Sequence, residues 1–192
     1  VQTLEDAKRA AEAGADVIVA QGTEAGGHSG SRATLPFVPA VVDAVGDIPV
    51  VAAGGIADGR GLAAALMLGA SGVMCGSAFY PCHEALSHAH AKQAALAGTG
   101  DHTSLGRVFD LVRGFAWPDE WKLRTLRNDF TDAWENREGE LADNLPNIAP
   151  AFVAAVQQGD MRTAPTIVGE AADLLRECCS AADLVARIVA EA

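Results

Sequence analysis

The feature that most restricts how this chain can fold is a threefold alternation of helix and short apolar strand in its first 75 residues. Residues Thr3 to Ala13 are rich in alanine, with Glu5 and Asp6 early and Lys8 and Arg9 later. That order predicts a helix capped by Thr3 and stopped at Gly14. Asp16–Gln21 follows as a short, mainly apolar run, the pattern of a parallel strand covered on both faces. The same order recurs twice: a helix over Pro36–Val45 precedes a strand over Ile48–Ala53, and a helix over Asp58–Leu68 precedes a strand over Gly72–Cys75. The joints Glu12-Ala-Gly-Ala-Asp16 and Met67-Leu-Gly-Ala-Ser-Gly72 each end a helix on glycine and enter the next strand within a few residues. Helices alternating with short strands imply right-handed crossovers on a parallel sheet, either open and doubly wound or closed into a barrel.

Beyond Cys75 the pattern changes. Phe79–Ala97 reads as helical, Thr99–Trp121 as loop-rich with a break at Trp117-Pro118, and residues 151–192 as closing helices. The expected division is therefore a β/α part over 1–80, a mostly helical appendage over 81–150 and terminal helices over 151–192. A closed barrel needs about eight strands. The chain offers three candidates and enters a helix directly after Val1, so the expectation is the C-terminal part of a (β/α)8 barrel.

With 49% apolar and 20% charged residues the chain can bury a sizeable core. A net charge of −11 leaves no basic excess for nucleic acid or anionic lipid. No apolar run is long enough to span a bilayer and the start lacks signal-peptide features, so a cytoplasmic protein with a small-molecule substrate is expected, a homodimer being allowed. Cys75, Cys82, Cys178 and Cys179 read as reduced structural thiols. His83, His88, His90 and His102 share no helical face with carboxylate support, and no metal is expected. Trp117, Trp121, Trp134, Phe109, Phe115 and Phe130 are expected to pack the appendage onto the barrel, and the acidic stretch Glu135–Asp143 to face solvent.

The chemistry is concentrated at the strand ends. The first strand runs into Gly22-Thr-Glu-Ala-Gly-Gly-His-Ser-Gly30, which surrounds one histidine with four glycines at the end of a parallel strand, where barrel active sites lie. Glycines let the backbone approach a flat or anionic ligand, and His28 can exchange a proton near neutral pH. The next two strands end in Gly54-Gly55-Ile-Ala-Asp58 and Cys75-Gly76-Ser77. Glycine-rich loops with a hydroxyl at the last strand ends suit a phosphate-bearing cofactor.

The segments Gln21–Gly30, Ala53-Gly-Gly-Ile-Ala57 and Ala65–Ser77, followed by Leu123-Arg-Thr-Leu-Arg-Asn128 and Ala164–Ala171, resemble the nitronate monooxygenase family over essentially the whole chain. The resemblance implies FMN, no metal, and oxidation of alkyl nitronates by O2 to a carbonyl compound and nitrite. It also implies His28 as the catalytic histidine, cofactor contacts from Gln21, Gly27, Gly54, Gly55, Gly76 and Ser77, and a loop shaped by Glu24 and Ala25. FMN-dependent enoyl-acyl-carrier-protein reductases share these loops. A barrel fragment that binds phosphate ligands or a partner chain without turnover is the non-enzymatic alternative. Inosine-monophosphate-dehydrogenase-type barrels fit less well, because neither Cys75 nor Cys82 lies in a catalytic-cysteine loop.

Overall fold

The computed structural model describes residues 1–192. Its first part alternates α1 (Leu4–Glu12), β1 (Ile18–Gln21), β2 (Gly27–Ser29), α2 (Thr34–Val45), β3 (Val50–Ala53), α3 (Gly59–Met67) and β4 (Gly72–Met74). Strands β1, β3 and β4 form a parallel sheet in the order β1-β3-β4, with Ile18 opposite Val50 and Ala53 opposite Met74. Val1 adds a parallel bridge at the outer edge of β1: its N–H donates to Val19 O at 2.8 Å and its carbonyl accepts from Gln21 N at 3.0 Å.

Helices α1 and α3 form where the sequence places them because local groups start and stop them, and α2 starts two residues early, at Thr34, without a side-chain cap. Thr3 accepts from Asp6 N and caps α1, Ala13 ends that helix, and Gly14 follows it at φ 84°. Asp58 accepts from Gly61 N and caps α3. Apolar faces of α1 and α2 close over the sheet, burying Ala7, Phe37, Val38 and Val41 against Ile18, Ala20, Val50 and Ala52. Three strands with helices on the outside make a sector of a (β/α)8 barrel, not a closed one.

The remainder is α4 (Ala89–Ala97), β5 (Thr103–Gly106), α5 (Val108–Arg113), β6 (Lys122–Leu126), α6 (Asp129–Trp134), α7 (Glu138–Asp143), α8 (Leu145–Gln158) and α9 (Ala181–Glu191). It corrects the sequence reading in four places. First, a second, antiparallel sheet in the order β2-β6-β5 pairs His28 with Leu123 and Leu105 with Arg124. The loop expected over Thr99–Trp121 thus contains a strand and a helix. Second, the helix expected over Phe79–Ala97 is a single 3-10 turn at Ser77–Phe79 followed, after Pro81, by α4. Third, α8 begins ahead of residue 151 and stops at Gly159, φ 66°, and the stretch before α9 is irregular, with a turn over 161–164 and a 3-10 turn at Glu170–Leu174.

The fourth correction concerns the aromatics. Phe109, Phe130 and Phe152 pack on one another with ring centroids 5.4–6.1 Å apart, and with Val108, Val112, Leu123 and Leu141 they make the appendage a core of its own. Phe115 is exposed, whereas Trp117 does join the appendage to the β/α part, by stacking on His28.

Candidate functional site

Glycine controls the geometry where β1 and β3 end. Gly54 adopts φ 106° and Gly55 φ 71°, and a Cβ on Gly54 would lie 3.0 Å from the Gly22 carbonyl. Gly26 and Gly169 also meet back to back, with Gly169 N 2.7 Å from where a Gly26 Cβ would stand. The loop after β1 is therefore pressed against the segment leading to Glu170, whose N–H donates to Glu24 O at 2.9 Å.

These ends surround a cavity of about 450 Å³. Gln21, Gly54, Gly55, Gly76 and Ser77 all line it, with Tyr80, Met74 and Ile167 as further walls. Gly27 is not in that lining; it begins β2 at φ 86°, opposite Arg124. No lysine or arginine lines the cavity. Its polar capacity comes from neutral donors. The N–H groups of Gly55, Gly76 and Ser77 donate to no acceptor of the chain. Ser77 Oγ accepts from Gly169 N at 2.8 Å, which leaves its own hydrogen free to donate. Unpaired N–H groups and a hydroxyl beside glycines that admit close backbone approach fit a phosphate on a flat, largely apolar ligand.

His28 is held from several sides. Its carbonyl accepts from Gln21 Nε2 at 3.0 Å and from Gln2 Nε2 at 3.1 Å, so Gln21 joins the histidine strand to the cavity wall. Its ring lies face to face with Trp117, centroids 3.8 Å apart at 17°. Nε2 is 2.9 Å from Asp110 Oδ2 on α5, and the two side chains are only 15% and 1% exposed. Asp110 Oδ1 is buried and accepts no hydrogen bond, but it forms an ion pair with Arg113 at 3.6 Å.

Two further ties set the loop in place. Arg124, buried on β6, donates to Thr23 O at 3.0 Å and Thr103 Oγ1 at 2.9 Å and pairs with Glu170 at 3.0 Å. Glu24 accepts from Thr34 N and from Thr34 Oγ1 at 2.8 Å, placing an anion at the first turn of α2. Asp110, Trp117, Arg124 and Tyr80 are site residues that the sequence reading missed. Asp110 lies 82 positions from His28 and Arg124 101 from Thr23, so no local spacing announces either.

Burial works against the Asp58 carboxylate, but Arg60 and the Gly61 N–H outweigh it and hold its pKa below the ordinary value. Burial pushes the Cys82 thiol up to about 11, with Cys179 and Glu84 adding to the shift, and burial also raises Cys75. Cys178 Sγ lies 3.2 Å from His83 Nδ1, and all four cysteines are free. No three His, Cys, Asp or Glu side chains are grouped as metal ligands, and no helix is long and apolar enough to cross a membrane.

Fold and site together define a (β/α)8-barrel sector whose strand ends frame a phosphate-compatible cavity; His28 is not in its lining but is tied to it through Gln21, with its ring clamped between Asp110 and Trp117. A family model described as nitronate monooxygenase matches residues 1–191, and the chain belongs to that family. It is 38% identical over 183 residues to the nitronate monooxygenase npaC of Metarhizium robertsii, an alignment covering 88% of this chain and 50% of the relative. The structure of nitroalkane oxidase from Streptomyces ansochromogenes superposes with a TM-score of 0.83 at 31% identity, over 100% of this chain and 55% of that one. FabK from Thermotoga maritima gives 0.82 at 32%, over 100% and 58%. The chain spans about half the length of these relatives.

Proposed function

We propose that this chain carries the phosphate-binding and proton-transfer part of an FMN-dependent nitronate monooxygenase, which oxidises alkyl nitronates with O2 to a carbonyl compound and nitrite. The observation that carries the reading is the gathering of Gln21, Gly54, Gly55, Gly76 and Ser77 around one cavity, with Gln21 bonded directly to the His28 strand. The N–H groups of Gly55, Gly76 and Ser77 and the Ser77 hydroxyl hold the phosphate, and Gly54 lets the backbone turn toward it. Gly27 contributes through the conformation of the loop that carries His28. FMN supplies the electron transfer that no side chain can perform.

His28 does the acid–base work. The α-carbon of a nitroalkane is acidic enough for an imidazole to deprotonate, and a substrate that is already a nitronate needs only orientation by the same ring. Trp117 covers one face of the imidazole and Asp110 holds its Nε2 edge, which restricts how the ring can turn. The net charge of −11 and a cavity without cations leave substrate recognition to hydrogen-bond donors and apolar walls.

The test is an FMN titration of the purified chain, followed by ethylnitronate under air with nitrite as the readout. Saturable flavin binding with nitrite release that His28→Ala abolishes supports the reading. Rapid NAD(P)H oxidation without nitrite would instead point to an enoyl-acyl-carrier-protein reductase, and failure to bind FMN would remove the cofactor assignment for this chain.

A further inference from the structure

Proton transfer by an imidazole requires that one ring nitrogen carry no hydrogen and have no competing partner, and a residue of this chain determines which nitrogen that is. Nε2 of His28 lies 2.9 Å from Asp110 Oδ2. A carboxylate can only accept, so the ring hydrogen sits on Nε2 and the Nδ1 lone pair stays available. Nδ1 makes no hydrogen bond in the chain and is not among its sealed, unpaired polar atoms. It is the open nitrogen of the ring. Trp117, stacked at 3.8 Å, opposes the ring flip that would exchange the two nitrogens.

The surroundings of Asp110 argue against a purely structural role. Helix α5 is already anchored by Val108, Phe109 and Val112 in the appendage core. Asp110 Oδ1 accepts no hydrogen bond, and its ion pair with Arg113 at 3.6 Å is an i,i+3 contact within α5 that ties the helix to no other element. What the carboxylate does achieve is the contact to His28 through Oδ2. Burial at 1% exposure keeps that contact free of competing water.

We infer that Asp110 is a positioning residue that fixes His28 as the Nε2–H tautomer and so makes Nδ1 the atom that accepts the α-proton of a neutral nitroalkane. The inference rests on the reading of His28 as the base. As the proton moves, the α C–H bond breaks, its electron pair delocalises into the nitro group, and Nδ1–H forms; the resulting imidazolium is stabilised by the Asp110 carboxylate.

The experiment has two arms on the full chain. In the first, ¹⁵N-labelled histidine is observed by NMR, the His28 signals being assigned by their loss in His28→Ala. The expected result is an Nε2–H tautomer in the wild type and a mixture with Nδ1–H in Asp110→Ala. In the second, the FMN-loaded chain is assayed with neutral nitroethane and with preformed ethylnitronate. Asp110→Asn should lower kcat for nitroethane by about 100-fold at little-changed KM, and nitronate oxidation by less than about fivefold, since only the former needs the base. A wild-type Nδ1–H tautomer, or one indifferent to Asp110→Ala, overturns the inference, as does an equal loss on both substrates. The NMR arm needs no flavin, so a wild-type chain that releases no nitrite overturns the functional reading while the tautomer still decides the role of Asp110.

Discussion

Gly54 and Gly76 are both glycines at strand ends, yet they meet different physical demands. Gly54 sits at φ 106°, and a methyl there would meet the Gly22 carbonyl at 3.0 Å. Gly54→Ala should therefore destabilise the chain by roughly 1–3 kcal/mol in urea unfolding, whether or not flavin is present. Gly76, at φ −93°, has nothing within 4 Å of the position its Cβ would take. Gly76→Ala should leave the unfolding midpoint within about 0.5 kcal/mol of wild type but weaken FMN binding, because the added methyl stands where the ligand is proposed to lie. Equal FMN affinity in the two proteins would move the phosphate away from Gly76. Cys82 offers a third test at this scale. Its folded pKa of about 11 stands above the ordinary 9.0, so the protonated thiol stabilises the fold fully below pH 9. That contribution is lost as pH rises through about 11. Thermal melts from pH 8 to 11 should show an alkaline decline that Cys82→Ala flattens, and an unaltered slope would locate the titration elsewhere.

At the level of elements, α3 shows how one cap joins local sequence to the site. Asp58 satisfies the Gly61 N–H at the start of the helix, and the helix follows directly on the Gly54–Gly55 turn. Asp58→Ala should cost about 1 kcal/mol. Because the folded carboxylate is depressed, its contribution is present above the ordinary carboxylate pKa and lost as pH falls through the lower folded value; wild type and variant should converge in stability as pH falls below the ordinary carboxylate range. The elements legible from sequence, α1 to α3 with β1, β3 and β4, are those whose signals are local: an apolar period and a terminating glycine within some fifteen residues, with a side-chain cap on α1 and α3. Strands β2, β5 and β6 carry weak signals of their own. Gly27-His-Ser29 has no β-branched residue, and Arg124 and Thr125 are polar yet buried. They are strands because partners about 20 to 100 residues distant supply the ladder. The same division runs through the site. The glycine loops and His28 could be read from a single stretch, whereas Asp110, Trp117 and Arg124 gain their roles only when the antiparallel sheet brings them to the loop.

For the molecule as a whole, two opposing terms act on association. Strand β4 is paired on one side only, to β3, and ends in Met74, which is 54% exposed; Leu66 and Met67 on α3 are also exposed. An open parallel edge beside apolar surface favours pairing with another chain. The net charge of −11 opposes it, and that repulsion has a range set by salt, about 10 Å at 0.1 M ionic strength. The chain should therefore be predominantly monomeric in dilute, low-salt solution and associate as concentration and salt increase. Light scattering coupled to size exclusion measures this directly. Met74→Lys places a charge on the open edge, at the mouth of the cavity that Met74 lines, and should restore the monomer at high salt without changing the melting temperature by more than a few degrees, since the side chain is already half exposed. A wild-type chain that stays monomeric at high salt would mean that the β4 edge is too short to template pairing. Association that Met74→Lys leaves untouched would shift the contact to the exposed face of α3.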